Sequence, residues 1–404
     1  MIRWWVPHRH KTEDGGRTPG AAAGRQLRGL KYLKAFLHVL DPLRRLPAHG
    51  NRELLYHQYV SLLLLSCYNP VLDSLRSLQR ATELGEVQAA LGVGRTSLGS
   101  LSESASDVFD PRHLEPVLRD VADRVRRATG QDLDPRLDDL SHAVVAADGS
   151  FLRCLPSMTW ALFRHQSAHR GVKLHVQVDV GRGLPLAASL TPANASERKE
   201  LLKRLRAAVL YVMDRGYVDY GLYQAIHDAG SLFVARLKGH CAYRVLGDRL
   251  RTAADVRAGV VADQWVDVGS AATAGTLTAR VRRLVVRPRG APADGSKDVV
   301  LLTNTDLPAE TIALIYRWRW QVELFFKWLK CVLGCGGHWV SRSETGLTLQ
   351  VYVALLASML LNLWTGARPN KATFQLVCLY FQGWASEAEL ARHIEAIRPT
   401  AQGP

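Results

Sequence analysis

The stretch that decides the fold is His142-Ala-Val-Val-Ala-Ala-Asp148, a short apolar run that ends in an acidic residue. Such a run is typical of a buried strand, and it would deliver Asp148 at its carboxyl end. The same pattern recurs at Ala207-Ala-Val-Leu-Tyr-Val-Met-Asp214. Between the two, residues 173–180 alternate apolar and polar side chains, and residues 184–190 return after a Gly-Arg-Gly turn as the second strand of a hairpin. The sequence therefore predicts a mixed α/β core in which two buried strands each carry an aspartate.

Helical signals connect these strands. Asn194, with Glu197 three residues later, resembles a capping box and predicts a helix from about residue 195 to 206. Residues 219–229 have the pattern of a second helix, and residues 231–235 that of a further short strand.

A mostly β insertion follows at about residues 236–298, which are rich in Val, Thr, Arg and Gly. Residues 299–303 resume an apolar strand, and Pro308 marks the start of the next helix. This helix is predicted to carry Glu323.

The predicted helix contains Tyr-Arg-Trp-Arg-Trp-Gln-Val-Glu-Leu-Phe-Phe-Lys-Trp-Leu-Lys, residues 316–330. At about 100° per residue, one face of the helix is polar and the opposite face is apolar. The polar face holds Tyr316, Arg319, Glu323 and Lys330, and the apolar face holds Trp318, Val322, Phe325 and Leu329. A carboxylate flanked by an aromatic ring and cations suits a metal-dependent site that processes phosphate. The open alternative is an amphipathic surface helix with a Glu323–Lys327 ion pair.

The bulk composition favours a folded protein with a polyanionic partner. The chain has 404 residues, of which 47% are hydrophobic, and a formal net charge of +15. Basic surfaces attract phosphate backbones, and an anionic membrane surface is the weaker alternative. The longest apolar run, residues 351–364, is shorter than the roughly 20 residues that span a bilayer, so we expect a buried helix and no membrane partner.

The six cysteines do not form a disulfide framework, and no apolar leader with a cleavage site is visible, which predicts a cytoplasmic protein. Cys331, Cys335 and His338 suggest zinc, but they lack a fourth ligand; the favoured interpretation is small residues at a helix end. The Gly-x-Gly fragments at Gly92 and Gly181 lack the surroundings of a nucleotide site, so no nucleotide cofactor is expected.

Four regions are predicted along the chain. Residues 1–28 form a basic disordered tail, residues 29–140 a helical N-terminal domain for DNA binding or assembly, residues 141–340 the catalytic core, and residues 341–404 C-terminal helices. Within the second region, residues 88–101 resemble the turn and second helix of a helix-turn-helix; the alternative is two packed helices joined by a glycine turn.

The three acids Asp148, Asp214 and Glu323 can converge although they lie far apart in sequence. Three carboxylates suit a pair of magnesium ions about 3.5 to 4 Å apart, which together activate the attacking oxygen and stabilise the leaving oxygen of a phosphoryl transfer. Asp179 and Glu197 are predicted to be a turn residue and a capping residue, respectively, and not ligands.

These residues resemble a known family. The order strand-Asp148, hairpin, helix, strand-Asp214, insertion and helix-Glu323 resembles the RNase H-like catalytic core of DDE transposases over about residues 141–340. Tyr316-x2-Arg319-x3-Glu323-x6-Lys330 matches the YREK signature of the insertion-sequence-four group. The resemblance implies an α/β fold with an RNase H-like mixed sheet, a β-rich insertion before the helix of Glu323, an all-helical N-terminal domain and C-terminal helices.

The resemblance also implies roles for individual residues. The three acids would bind two Mg²⁺ or Mn²⁺ ions. Phosphates of the cleaved DNA end would be held by Tyr316, Arg319 and Lys330, with Arg215 and Lys173 as further candidates. Trp265, in the β insertion, would accept a flipped base; the alternative is a core or β-surface tryptophan.

By the same resemblance, the protein is expected to be a bacterial insertion-sequence transposase that cuts and joins double-stranded DNA. Its partners would be the terminal inverted repeats of the element and the target DNA, and it would act as a homodimer on paired ends, associated with the nucleoid. Two alternatives stay open, namely an RNase H-like nuclease without strand transfer and an inactive DNA-binding derivative.

Overall fold

The structure is a computed structural model that describes residues 29–128, 137, 140–155, 157–158, 160–161, 171–239, 241–270, 273, 275–333, 339–366 and 370–397. The predicted tail of residues 1–28 lies outside the described residues, as do Cys335 and His338 of the zinc alternative.

Nine described strands form one mixed sheet in the order β3-β2-β1-β4-β5-β9-β8-β7-β6. Their bounds are β1 Ala143–Arg153, β2 Gly171–Asp179, β3 Leu184–Pro192, β4 Val209–Met213, β5 Leu232–Arg236, β6 Tyr243–Asp248, β7 Val260–Val268, β8 Val281–Val286 and β9 Val299–Thr303. Strands β1, β4 and β5 are parallel to one another, and all other neighbours are antiparallel. The parallel strands lie in the middle of the sheet, where both faces are covered, which explains their nearly continuous apolar sequences.

The described helices pack on both faces of this sheet. Their bounds are α1 Leu30–Phe36, α2 Asp41–Arg44, α3 Tyr56–Tyr68, α4 Leu75–Ala81, α5 Gly85–Leu91, α6 Leu98–Glu103, α7 Leu114–Ala128, α8 Glu197–Leu202, α9 Tyr220–Asp228, α10 Ala253–Arg257, α11 Ala309–Trp318, α12 Trp320–Val332, α13 Glu344–Thr365, α14 Lys371–Phe381 and α15 Glu387–Ile397.

Side-chain alternation along β1 and β4 divides the interior into two cores. Val144 and Ala146 face the same core as the apolar residues of α11, α12 and α13. Val145 and Ala147 face the opposite core, which contains the apolar residues of α9 and Leu201 of α8. Because side chains alternate with a period of two, Asp148 belongs to the face covered by α12.

Helix α13 connects the N-terminal helices with the sheet. It packs against α3, α7 and α12, and its residues belong to a core that also includes the N-terminal helices. By length and composition α13 could cross a membrane, but 83% of its most apolar window is buried inside the protein. The prediction of a buried helix over residues 351–364 is therefore confirmed. The core also continues across the predicted domain boundaries at residues 140 and 341.

Several local predictions were wrong. Strand β1 continues five residues beyond Asp148, because its pairing with β2 extends as far as Arg153 opposite Gly171. Asp148 therefore lies within the strand and not at its end. Helix α8 begins at Glu197 and is capped by the Ser196 hydroxyl, so Asn194 is not the N-cap residue.

The predicted helix after Pro308 consists of two helices that meet at Arg319. At this junction the N–H of Arg319 donates to the carbonyl of Tyr316, and the N–H of Val322 donates to the carbonyl of Arg319. Both bonds span three residues, as in a tight 3₁₀ turn, and interrupt the regular α-helical period. Tyr316 is therefore on α11, whereas Glu323 and Lys330 are on α12.

In the N-terminal region, the chain between α5 and α6 runs from Gly92 to Ser97. This connection is longer than the turn of about three or four residues in a helix-turn-helix. The structure therefore does not show the short turn of a helix-turn-helix here; α6 packs against α4, and α5 packs against α1 and α3.

The β insertion is not a separate unit, because strands β6 to β8 continue the sheet through β9. A buried ion pair holds this part together. Arg282, which is 1% exposed, donates to both carboxylate oxygens of Asp263 and to the carbonyls of Thr305 and Leu307.

We expect Arg282→Met to lower the free energy of unfolding by about 3 kcal/mol, because it leaves Asp263 charged and buried with Arg249 as a weaker partner. The matched control is Arg244→Met, which removes an exposed ion pair with Asp267 and should cost less than about 1 kcal/mol. Urea unfolding of both variants measures the difference. Equal losses would show that burial of Arg282 has no special effect.

Candidate active site

The parallel pairing of β1 and β4 brings the two aspartates together. The last pair in the register is Ala146 opposite Val212. Two residues further along each strand, Asp148 and Asp214 therefore stand at the same level, and in-register parallel neighbours point to the same face. Adjacent strands are about 4.8 Å apart, so these two carboxylates are neighbours across the end of β4.

Asp214 also shapes the chain that follows it. Its Oδ1 accepts the N–H of Gly216 at 2.7 Å and caps the short 3₁₀ helix Arg215–Tyr217. A Cβ at position 216 would lie 2.9 Å from this oxygen, so the close approach favours glycine. The cap fixes the position of one carboxylate oxygen of Asp214.

Arg319 forms ion pairs with both Glu323 and Asp148. The Arg319 guanidinium lies with Nη2 at 2.7 Å from Glu323 Oε1 and with Nη1 at 3.8 Å from Asp148 Oδ2. Arg319 and Glu323 are four residues apart, a spacing that brings side chains together along a helix. The structure thus places Glu323 beside Asp148, with one guanidinium between the two carboxylates.

The Asp148 carboxyl has an unusual environment. Burial and, to a smaller extent, the negative charges of Asp214 and Glu197 raise its pKa to about 6. The N–H of Gly149, which donates to Oδ1 at 2.8 Å, and the charge of Arg319 oppose this shift. Such a carboxyl takes up a proton readily unless a cation is bound beside it.

Tyr316 lies next to the same group. The Arg319 guanidinium is 5.9 Å from the centre of its ring. Burial raises the pKa of Tyr316, and the charges of Arg319 and Arg236 lower it in part. Arg236 ends β5 and, by the pairing of Met213 with Ala235, stands level with Asp214. Arg236 was not predicted from the sequence, although its position at the end of an apolar strand repeats the pattern of Asp214.

A fourth acid, Glu197, also lies at this site. Its Oε1 would be 2.7 Å from a Cβ on Gly149, and its Oε2 would be 3.4 Å from a Cβ on Gly216. Lys173 Nζ pairs with Glu197 Oε1 at 3.1 Å. Glu197 was predicted to be a capping residue only; its carboxylate instead lies next to the glycines that follow Asp148 and Asp214.

The other predicted site residues lie at the margin or further away. Lys330 is partly exposed on α12, about 10 Å along the helix axis from Glu323. Arg215 is exposed directly after Asp214. Trp265 is on β7, five strand spacings or about 24 Å along the sheet from β1, and is not part of the carboxylate group.

Trp265 has cationic neighbours of its own. The guanidinium of Arg280 lies 3.6 Å from its ring centre, and that of Arg249 lies 4.9 Å away. Trp265 is half-buried, in agreement with the alternative of a β-surface tryptophan.

The metal ligands are not preformed. Across the described residues, no three Asp, Glu, His or Cys side chains are arranged to hold a metal ion. That Asp148, Asp214 and Glu323 form a ligand set stays a prediction; the Arg319 guanidinium lies between Asp148 and Glu323. The donors still fit Mg²⁺ or Mn²⁺, since carboxylate oxygens are the ligands these hard cations prefer and two of them already share one positive charge.

With this fold and this group of acids in view, the class of protein can be stated. The sequence matches the family described as "Transposase DDE domain" over residues 139–360, which is more than half of the chain. The chain belongs to this family. The predicted relationship to DDE transposases is thereby confirmed, and the assignment to the insertion-sequence-four group stays a prediction.

Two curated proteins are similar to this chain. One, from Sinorhizobium fredii (strain NBRC 101917 / NGR234), is named "Putative transposase y4zB" and is 30% identical over 210 residues, or 52% of this chain and 57% of that protein. The other, from Geobacillus stearothermophilus, is named "Probable transposase for insertion sequence element IS5377" and is 27% identical over 217 residues, or 54% of each. The chain thus spans a little over half the length of the curated relatives it matches.

Among solved structures, a cryo-EM structure of the piggyBac transposase synaptic complex with hairpin DNA aligns with 93% of this chain and 83% of its own. The TM-score is 0.37 and the sequence identity 12%. A likeness this weak supports no conclusion about a shared fold.

We expect Arg319→Gln to raise the pKa of Asp148 above its value of about 6, because the cation that favours the carboxylate is removed while the charges of Asp214 and Glu197 remain. The measurement is a ¹³C NMR titration of aspartate-labelled, metal-free protein, with Asp148→Asn to assign the signal. An unchanged or lower pKa would mean that Arg319 does not contact Asp148 in solution.

Proposed function

We propose that the protein is a transposase of a bacterial insertion sequence that cleaves DNA at the ends of the element and joins those ends to target DNA. The observation that carries this proposal is the meeting of three distant acids. Asp148 and Asp214 share one level of the sheet, and Arg319 links Asp148 to Glu323. The family match and the names of the curated relatives support the same function.

The proposed cofactor is a pair of Mg²⁺ or Mn²⁺ ions. When bound, such ions would activate an attacking oxygen and stabilise the leaving oxygen of an in-line phosphoryl transfer. Asp148, Asp214 and Glu323 would hold them. Each acid comes from a different element, namely β1, the end of β4 and α12.

The arginine would change partners during this reaction. Without metal, Arg319 neutralises Asp148 and Glu323. If bound cations supplied that charge, the Arg319 guanidinium would be free to donate to a DNA phosphate, for which its planar pair of donors is well suited. Arg319 would therefore couple metal loading to DNA-end binding.

The wider basic surface would hold the DNA backbone. The net charge of +15 supplies the general attraction, and Lys330 and Arg215 would contact phosphates beside the acids. We further propose that the protein acts as a homodimer on paired ends in the bacterial cytoplasm.

The test is metal-dependent cutting of a duplex that carries the inverted repeats of the element. Asp148→Asn, Asp214→Asn and Glu323→Gln should each lower the nicking rate at least about a hundredfold, because each removes a charged ligand. The matched control is Asp228→Asn, an exposed acid at the end of α9, which should nick at the wild-type rate. Full activity in any of the three variants would disprove the assignment. Cut ends that never join a target plasmid would favour the nuclease alternative.

We also expect Lys330→Ala to weaken DNA binding by a similar factor for all sequences and to reduce the slope of log affinity against log salt by about 1, because one phosphate contact is lost. Lys371→Ala, at the start of α14, serves as the control and should leave the slope unchanged. Fluorescence anisotropy at several salt concentrations measures both. An unchanged slope for Lys330→Ala would exclude it as a phosphate contact.

A further inference from the structure

Helix α8 brings Glu197 to the acids from the opposite side of the sheet. Leu201 anchors this helix in the core that faces away from α12. From there the Glu197 carboxylate extends toward Gly149 of β1 and Gly216 after β4, and these glycines leave room for it. A Cβ on Gly149 would lie 2.7 Å from Glu197 Oε1, a distance that real Cβ atoms essentially never show.

The two glycines that Glu197 approaches are close in sequence to the two aspartates. Gly149 directly follows Asp148, and the N–H of Gly216 donates to Oδ1 of Asp214. Oε1 of Glu197 thus lies near Gly149, next to Asp148, and Oε2 lies near Gly216, two residues after Asp214. The Glu197 carboxylate is therefore close to the main chain at both aspartates.

The buried side chain of Tyr217 is affected by the same three acids. Burial raises the pKa of Tyr217, and the negative charges of Glu197, Asp148 and Asp214 raise it further. The charges of three carboxylates from three separate elements therefore all act on the Tyr217 hydroxyl.

Helix capping does not explain Glu197. The N-cap of α8 is Ser196, whose hydroxyl accepts the N–H of Lys199. The side chain of Glu197 pairs instead with Lys173 of β2, and both side chains are 23% exposed. This ion pair places the positive charge of Lys173 next to the Glu197 carboxylate.

We propose that Glu197 is a fourth carboxylate of the metal site, which binds a divalent cation together with Asp148 and Asp214. Lys173 is its counter-ion when no metal is bound, as Arg319 is for Asp148 and Glu323. This inference rests on the proposed function, because the cation is the one that the cleavage reaction needs.

The experiment measures Mn²⁺ binding to the full-length, DNA-free protein by the EPR signal of free Mn²⁺. Glu197→Gln should weaken binding at least about tenfold, the smallest loss typical of residues that support a metal site. The matched control is Glu200→Gln, which removes an acid from the same helix that pairs with Lys203 and should bind Mn²⁺ like the wild type. Glu197→Asp keeps the charge with a shorter side chain and should also bind more weakly; it replaces Glu197→Gln if thermal unfolding shows that variant to be misfolded.

A double variant separates ligation from simple charge balance. If Glu197 only neutralises Lys173, then Lys173→Gln combined with Glu197→Gln restores wild-type affinity, because the net charge is the same. If Glu197 is a ligand, the double variant stays weaker than the wild type.

Wild-type affinity in Glu197→Gln, or restoration in the double variant, overturns the inference and leaves the proposed function intact. The third arm is Asp148→Asn, which should abolish the binding. Mn²⁺ binding that is unaffected by Asp148→Asn, or absent from the wild type, overturns the proposed metal site and this inference with it.

Discussion

The site depends on the parallel register between β1 and β4. Ala146 opposite Val212 places Asp148 level with Asp214, and a shift of one residue would turn one of these aspartates to the other face of the sheet. The register is enforced by burial, because Val144, Ala146, Leu210 and Val212 fill one core while Val145, Ala147, Tyr211 and Met213 fill the other. The apolar side chains of the two strands therefore determine where their acids stand.

Gathering acids in this way has an electrostatic cost, which the protein offsets with cations from other elements. Burial and neighbouring charges raise the pKa of Asp148, and Arg319 and Lys173 each neutralise part of the excess. Both cations are attached to movable side chains, whereas the aspartates are fixed in or directly after strands. In the proposed metal-bound state, a divalent cation would take over the charge of these two side chains while the strands keep their register.

The sequence predicted those parts of the site that follow from local patterns. Apolar runs that end in acids identified Asp148 and Asp214, and a helical spacing identified Arg319 and Glu323. Glu197 was missed because a glutamate in a first helical turn is common for reasons of helix polarity alone, and its contacts with Gly149 and Gly216 arise only from tertiary packing. For the same reason the insertion could be recognised as β-rich but not as a continuation of the sheet, since strand pairing between distant segments leaves no local signal.

That continuation links the insertion to the helix of Glu323. Arg282 of β8 donates to the carbonyls of Thr305 and Leu307 at 3.0 and 2.7 Å, just before α11 begins. Asp255 of α10 accepts the N–H of Glu310 in the first turn of α11 at 2.9 Å. Two separate points of the insertion thus hold the start of the helix pair whose junction is Arg319. The insertion therefore helps to position the helix pair that carries Arg319 and Glu323.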